Sequence, residues 1–178
     1  MTTRVKVLTL PGYDNSGPEH WQTLWERAHP EYVRVQQRSW TEPICDHWVA
    51  ALDAAIVTAN QAVVLVGHSL GALTIAHHAQ RYARAVRGAL LVAPPNVDDP
   101  AFPPIIKGFR PIPRALLPFP SIVVASGDDW YMDPETARDV AAAWGSRFVL
   151  LEKAGHINAD AGFGPWPEGE RLLAELIG

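Results

Sequence analysis

The sequence predicts an α/β protein: a doubly wound, mostly parallel sheet of six strands flanked by helices, in one domain over residues 1–178. Three observations carry this. Short β-branched apolar runs alternate with helix-like segments along the whole chain. The runs are continuous rather than alternating, which suits strands buried on both faces. No internal repeat or low-complexity linker divides the chain, and its length is that of a single domain.

In order, strands are expected at 4–10 (RVKVLTL), 32–36 (YVRVQ), 62–67 (AVVLVG), 88–93 (GALLVA), 121–126 (SIVVAS) and 147–152 (RFVLLE). Helices are expected at 18–29 (PEHWQTLWERAH), 44–59 (ICDHWVAALDAAIVTA), 72–83 (ALTIAHHAQRYA) and 133–145 (DPETARDVAAAWG). The last has an N-cap in Asp133, proline at the first helical position in Pro134 and a terminating Gly145. The stretch after residue 156 receives no regular element. Residues 94–120 hold nine of the sixteen prolines, so a long helix is excluded there. Such a segment is either a rigid surface crossover or a wall or lid over a pocket.

Composition narrows the function. Apolar residues make up 48% and charged residues 19%, the net charge is −4, and no Lys/Arg run occurs. Nucleic acid and an anionic membrane surface are therefore not expected partners. A single cysteine, Cys45, forms no internal disulfide, and no segment reaches the length of a secretory signal or a membrane span. A cytoplasmic location is the expectation. No sequence feature sets the oligomeric state.

The chemistry is concentrated around GHSLG, residues 67–71. An apolar run precedes it and a helical pattern follows, which makes a strand–turn–helix with Ser69 at the turn. A strained elbow of this kind tolerates little bulk two residues either side, and both places are glycine. The hydroxyl would stand above the sheet edge, with the Leu70 amide at the helix start facing a developing oxyanion. A nucleophilic serine needs a base, and the base an orienting carboxylate. Asp128 and Asp129 follow one later strand and His156 follows the next, giving the chain order Ser, Asp, His. All three then leave the carboxyl ends of strands, where open α/β sheets bind ligands.

The remaining histidines divide. His77 and His78 lie too far along the helix to reach Ser69, and read as packed or solvated. They do not share a direction, so no metal site is expected there. Strand alternation turns His68 to the other side of the turn, a structural position. His29 and His47 carry no signal. His20 follows the turn in LTLPGYDNSGPEHW and either lines the site or caps structure.

GHSLG, SGDDWY and AGHINADAGFGPWPEG, with the opening LPGYDNSGPEHWQTLWE and the segment FRPIPRALLPFPSIVVAS, resemble the small serine-hydrolase family of minimal α/β hydrolases. One relative in that family is a retinoblastoma-binding protein. The resemblance covers essentially the whole chain. It implies a six-stranded parallel sheet without the first strands of larger α/β hydrolases and without a cap domain. Family members often place proline after the carboxylate pair and use the second acid; here Trp130 stands in that place, and Asp129 is preferred to Asp128. The family's L-x-C-x-E binding motif is absent around Cys45.

The expected activity is hydrolysis of a small carboxylic ester or amide through an acyl-enzyme, with Ser69 as nucleophile, His156 as base and Asp129 as orienter. The backbone amides of Leu70 and Tyr13, the latter just after Gly12, would form the oxyanion hole. No metal or organic cofactor is required. Gly12, His20 and Trp130 are expected around the substrate, and Tyr131, Phe102, Phe109 and Trp166 either line an apolar acyl pocket or form local core. The alternatives are a weakly catalytic binding protein of the same fold and an acyltransferase or thioesterase.

Overall fold

The computed structural model describes residues 5–178. Eleven elements follow in order: β1 (Lys6–Leu10), α1 (Trp21–Ala28), β2 (Tyr32–Arg34), α2 (Cys45–Ala59), β3 (Val63–His68), α3 (Leu70–Arg81), β4 (Val86–Val92), β5 (Ser121–Ser126), α4 (Pro134–Trp144), β6 (Arg147–Leu151) and α5 (Pro167–Ile177). The strands form one sheet in the order β2-β1-β3-β4-β5-β6, and every neighbouring pair is parallel.

The central strands are buried on both faces, which explains their uninterrupted apolar sequence. Successive residues still point to opposite sides. Leu8, Leu65, Ala89, Leu91 and Val123 join one core with Trp48 and Leu52 of α2, Leu73 of α3 and Trp144 of α4. Val7, Val64, Val66, Leu90, Val92 and Val124 join the other with Trp21 and Trp25 of α1 and Leu173 of α5. The sheet is thus sandwiched, α1 and α5 on one face and α2, α3 and α4 on the other.

Two departures from the sequence expectation bear on the site. Helix α5 was not expected, although Pro167 at its start, Glu168 and Glu170 in its first turn and its apolar Leu172, Leu173, Leu176 and Ile177 are a legible start signal and stripe. It closes the sheet face beneath the loop that carries His156. Trp166, expected as a pocket aromatic or core, is core: its ring packs 5.1 Å from Trp21 and stacks 5.9 Å from Trp25. The indole N–H groups of Trp21 and Trp25 donate to the carbonyls of Ile157 (2.8 Å) and Pro165 (2.6 Å), which ties the His156 loop to this core. Second, α3 begins at Leu70, directly after Ser69, rather than at residue 72. The other ends shift by a few residues, and residue 4 of the expected first strand lies outside the described residues.

Residues 93–120 contain no helix or strand, so the parallel β4–β5 crossover is made by irregular chain. Backbone ties hold it: Lys107 pairs with Ile44 in an isolated bridge, and the Trp144 indole N–H donates to Pro113 O at 2.7 Å.

The turn after β3 leaves no room at its glycines. A Cβ on Gly71 would stand 1.9 Å from the Leu10 carbonyl oxygen, and one on Gly67 would stand 2.6 Å from the Ala72 nitrogen. Both obstacles are backbone. Gly71→Ala should therefore cost about 3 kcal/mol or more, through forced separation of β1 from the elbow. Chemical denaturation would check this; a loss under about 1 kcal/mol would mean the turn relaxes freely.

Candidate active site

The strand order reverses between β1 and β3, and the loops leaving the carboxyl ends of β1, β3, β5 and β6 bring the candidate reactive groups together. Ser69 sits at φ 56° and ψ −123°, a left-handed setting that lifts its side chain out of the sheet. It occupies the N-cap position of α3 but makes no capping bond, so its hydroxyl is free for another partner. That partner is His156 Nε2, 2.9 Å from Ser69 Oγ.

On the other side of the ring, His156 Nδ1 lies 2.9 Å from Asp129 Oδ2 and 3.1 Å from Oδ1. A carboxylate only accepts, so Nδ1 carries the proton and Nε2 is the lone pair facing the hydroxyl. The Asp129 side chain is 2% exposed, and Tyr131 N–H donates to its Oδ1 at 2.9 Å.

Asp128 does something different. Its Oδ1 accepts from Ser126 Oγ (2.7 Å) and from the N–H groups of Gly155 (2.8 Å) and Ala154 (3.0 Å). The Ser126 bond foremost, then the Gly155 amide, hold its carboxyl below the usual range. Adjacent carboxylates are thus split between the imidazole and the loop that presents it.

Tyr13 and Leu70 both line the cavity. The Leu70 N–H, first of α3, has no intrahelical acceptor, and the Tyr13 N–H has none among the described residues. Gly12 permits their approach to the serine: a Cβ there would meet Ser69 Cβ at 2.8 Å.

The cavity over Ser69 measures about 370 Å³. The proline-rich segment contributes Pro95, Phe102, Pro103, Ile105 and Ile106 to its lining, so this segment is a wall. Tyr131 lines it as well, 4.7 Å from the His156 ring. Trp130 does not join the lining: its side chain is 93% exposed. Phe109 is buried against Trp48 and His77, in the core rather than the cavity.

His68 was placed on the far side of the turn by strand alternation, and the structure places it in the site. His68 still keeps the strand pattern, its ring 5.9 Å from Trp21 on the side of Val64 and Val66; it is Ser69, at positive φ, that leaves the pattern, so the turn does not part the two. His68 lines the cavity, packs 5.0 Å from the His156 ring and donates from Nε2 to the His156 carbonyl at 2.8 Å. His20 both caps and lines: its Nδ1 accepts the Gln22 N–H at 3.2 Å, and its ring stands 4.8 Å from His68. His77 and His78 are buried, bonded to the Phe109 carbonyl and to Asp53. Asn15 and Asn158 also line the cavity and were not singled out, though each lies close in sequence to a site residue. Among the described residues no group of three or more His, Cys, Asp or Glu is placed to hold a metal ion, and no helix is long and apolar enough to cross a membrane.

Burial, then the charges of Arg34 and His156, push the His20 pKa down to about 4. Full burial likewise drives His68 well below its ordinary value. An unfolded histidine titrates near about 6.5, so between about 6.5 and 4 the unfolded chain binds a proton that folded His20 does not. Stability should fall as pH drops through that window, by about 1.4 kcal/mol per pH unit from this group. Denaturant midpoints measured from pH 7 to 4 would show it. His20→Asn, which keeps a capping acceptor, should flatten the slope, and an identical slope would remove His20 as its source.

A family described as serine hydrolase matches residues 7–175. A protein described as a YdeN-like hydrolase from Pectobacterium atrosepticum is 37% identical, over 97% of this chain and 90% of that one, with a TM-score of 0.87. The ydeN gene product of B. subtilis is 20% identical over 97% and 98% of the two chains, with a TM-score of 0.78. A thermophilic esterase from Thermogutta terrifontis is 16% identical over 100% and 92%, with a TM-score of 0.69, which shows the shared fold. No curated protein matches the chain.

Proposed function

From the premise that the chain belongs to the serine hydrolase family, we propose that it cleaves small carboxylic esters or amides through an acyl-enzyme on Ser69. One observation carries the reading: the unbroken line from Ser69 Oγ to His156 Nε2 (2.9 Å) and from His156 Nδ1 to Asp129 Oδ2 (2.9 Å). Ser69 Oγ attacks the carbonyl carbon while its proton passes to Nε2, and Asp129 stabilises the imidazolium that forms. The carbonyl oxygen gains negative charge and is met by the Leu70 and Tyr13 N–H groups. Collapse breaks the bond to the leaving group, which takes the proton from Nε2. Water then repeats the sequence on the acyl-serine, releasing the acid and restoring the hydroxyl.

A fluorophosphonate is the direct test. The reagent should modify one residue per chain, and peptide mass mapping should place it on Ser69. Modification of Ser16 or Ser126 instead would overturn the assignment.

A further inference from the structure

Beyond the triad, the loops that frame the cavity give it Asn15 and His20 after β1 and Asn158 after β6, beside His68 and the Tyr13 and Tyr131 side chains. In Asn15, His20 and Asn158 a protein donor already bonds the accepting atom. Arg34 Nη1 donates to Asn15 Oδ1 at 3.0 Å, Ala161 N–H to Asn158 Oδ1 at 3.0 Å, and Gln22 N–H to His20 Nδ1 at 3.2 Å. A guanidinium and a backbone amide only donate, so these bonds fix both amide orientations and the imidazole tautomer. The atoms left without any protein partner on these three are N–H donors, Asn15 Nδ2, Asn158 Nδ2 and His20 Nε2, while each amide oxygen keeps one further lone pair. His20 Nε2 is buried with no hydrogen-bond partner among the described residues, a condition costing about 1–3 kcal/mol unless an acceptor arrives. His68 Nδ1 is a further lone pair beside them, its Nε2–H being held by the His156 carbonyl. The Tyr131 hydroxyl can act either way. The apolar lining, Phe102, Pro103, Ile105 and Ile106, comes from a different segment.

We propose that the substrate is an ester with an apolar acyl group, taken by the 102–106 wall, and a carboxylate in its leaving-group half, taken by the N–H donors of Asn15, His20 and Asn158. The proposal rests on the hydrolase reading above and names the substrate class of that same site. A carboxylate is acceptor-only, and bonds to an ionised acceptor are roughly twice as strong as neutral ones. An ammonium in the same place would face these N–H groups and find no anionic acceptor among them, only His68 Nδ1 and the second lone pairs of the two amide oxygens.

The test uses three butyrate esters: O-butyryl glycolate, n-propyl butyrate and, as the aminoethyl ester, 2-(dimethylamino)ethyl butyrate, whose tertiary ammonium cannot take up the acyl group, each rate divided by that of hydroxide hydrolysis. The expected order of kcat/KM is glycolate, propyl, aminoethyl, with at least tenfold between first and last. Asn158→Asp and Asn15→Asp retain the Oδ1 that accepts from Ala161 or Arg34 and turn the free amide into an acceptor. Each should lower the glycolate-to-aminoethyl ratio at least tenfold. Asp160→Asn, in the same loop but outside the cavity lining, should leave the ratio unchanged and so exclude a general charge effect. Equal rates for the three esters, an aminoethyl preference, or a ratio unmoved by both Asp variants would overturn the proposal. Failure to turn over any of them, together with failure to label Ser69, would instead overturn the hydrolase reading.

Discussion

Ser69→Ala and His156→Ala should each lower kcat by about 10⁶-fold, and the double variant should fall no further. In the proposed mechanism the hydroxyl and the imidazole, 2.9 Å apart, act as one unit, so removing either removes the same step. The folded state should scarcely notice the serine change. Ser69 caps nothing with its side chain, and alanine meets the same strain at φ 56° that serine already bears. Unaltered thermal unfolding beside collapsed turnover of n-propyl butyrate is the expected pair of results. Additive losses in the double variant would mean that the two residues work independently, and the unbroken hydrogen-bonded line would then not be the catalytic unit.

Asp129→Asn should lower kcat by about 10⁴-fold, equivalent to about 5.5 kcal/mol of barrier. An amide turned toward His156 with its NH₂ group cannot accept from Nδ1–H; the ring must carry its proton on Nε2 instead, where it faces Ser69 and cannot take a proton. Asp128→Asn should cost less than tenfold, because an amide oxygen still accepts from Ser126 and the Ala154 and Gly155 N–H groups. Steady-state kinetics on the two variants decides between the neighbours. A larger loss at Asp128 would mean that the loop's anchorage, rather than the ring's tautomer, limits the reaction.

That division of labour was only half legible in the sequence. A carboxylate pair after one strand and a histidine after the next were visible as spacing, because strand ends deliver their loops to one edge of a parallel sheet. Spacing cannot say which of two adjacent acids turns inward; the family resemblance preferred Asp129, and the contacts place that residue against the imidazole. The sheet itself was legible because continuous apolar runs have few other solutions. Helix α5 carries an ordinary start signal at Pro167, but only a short apolar stripe follows it. Trp130 misled because an aromatic next to a catalytic carboxylate invites a pocket role, whereas turn geometry sends it outward and brings Tyr131 in. His68 misled for another reason: it keeps its strand side, and the left-handed Ser69 beside it is the residue that leaves the pattern.

On the proposed reading, the irregular chain between β4 and β5 separates bond cleavage from substrate selection. The triad and the Leu70 and Tyr13 amides hang from β1, β3, β5 and β6, while the apolar cavity residues from Pro95 to Ile106 belong to this one crossover. Its attachments run mostly outside the reaction centre: Lys107 O to the Cys45 amide (2.9 Å), Phe109 O to the His77 ring (3.0 Å) and Pro113 O to the Trp144 indole (2.7 Å). Such an arrangement makes the crossover an exchangeable cassette. Lineages could trade acyl preference by drifting within 95–106 while the anchors at 107–113 and the proton-transfer geometry stay under separate selection. If the 102–106 wall takes the acyl group as proposed, randomising Phe102, Ile105 and Ile106 should shift acyl preference while leaving Ser69 labelling intact.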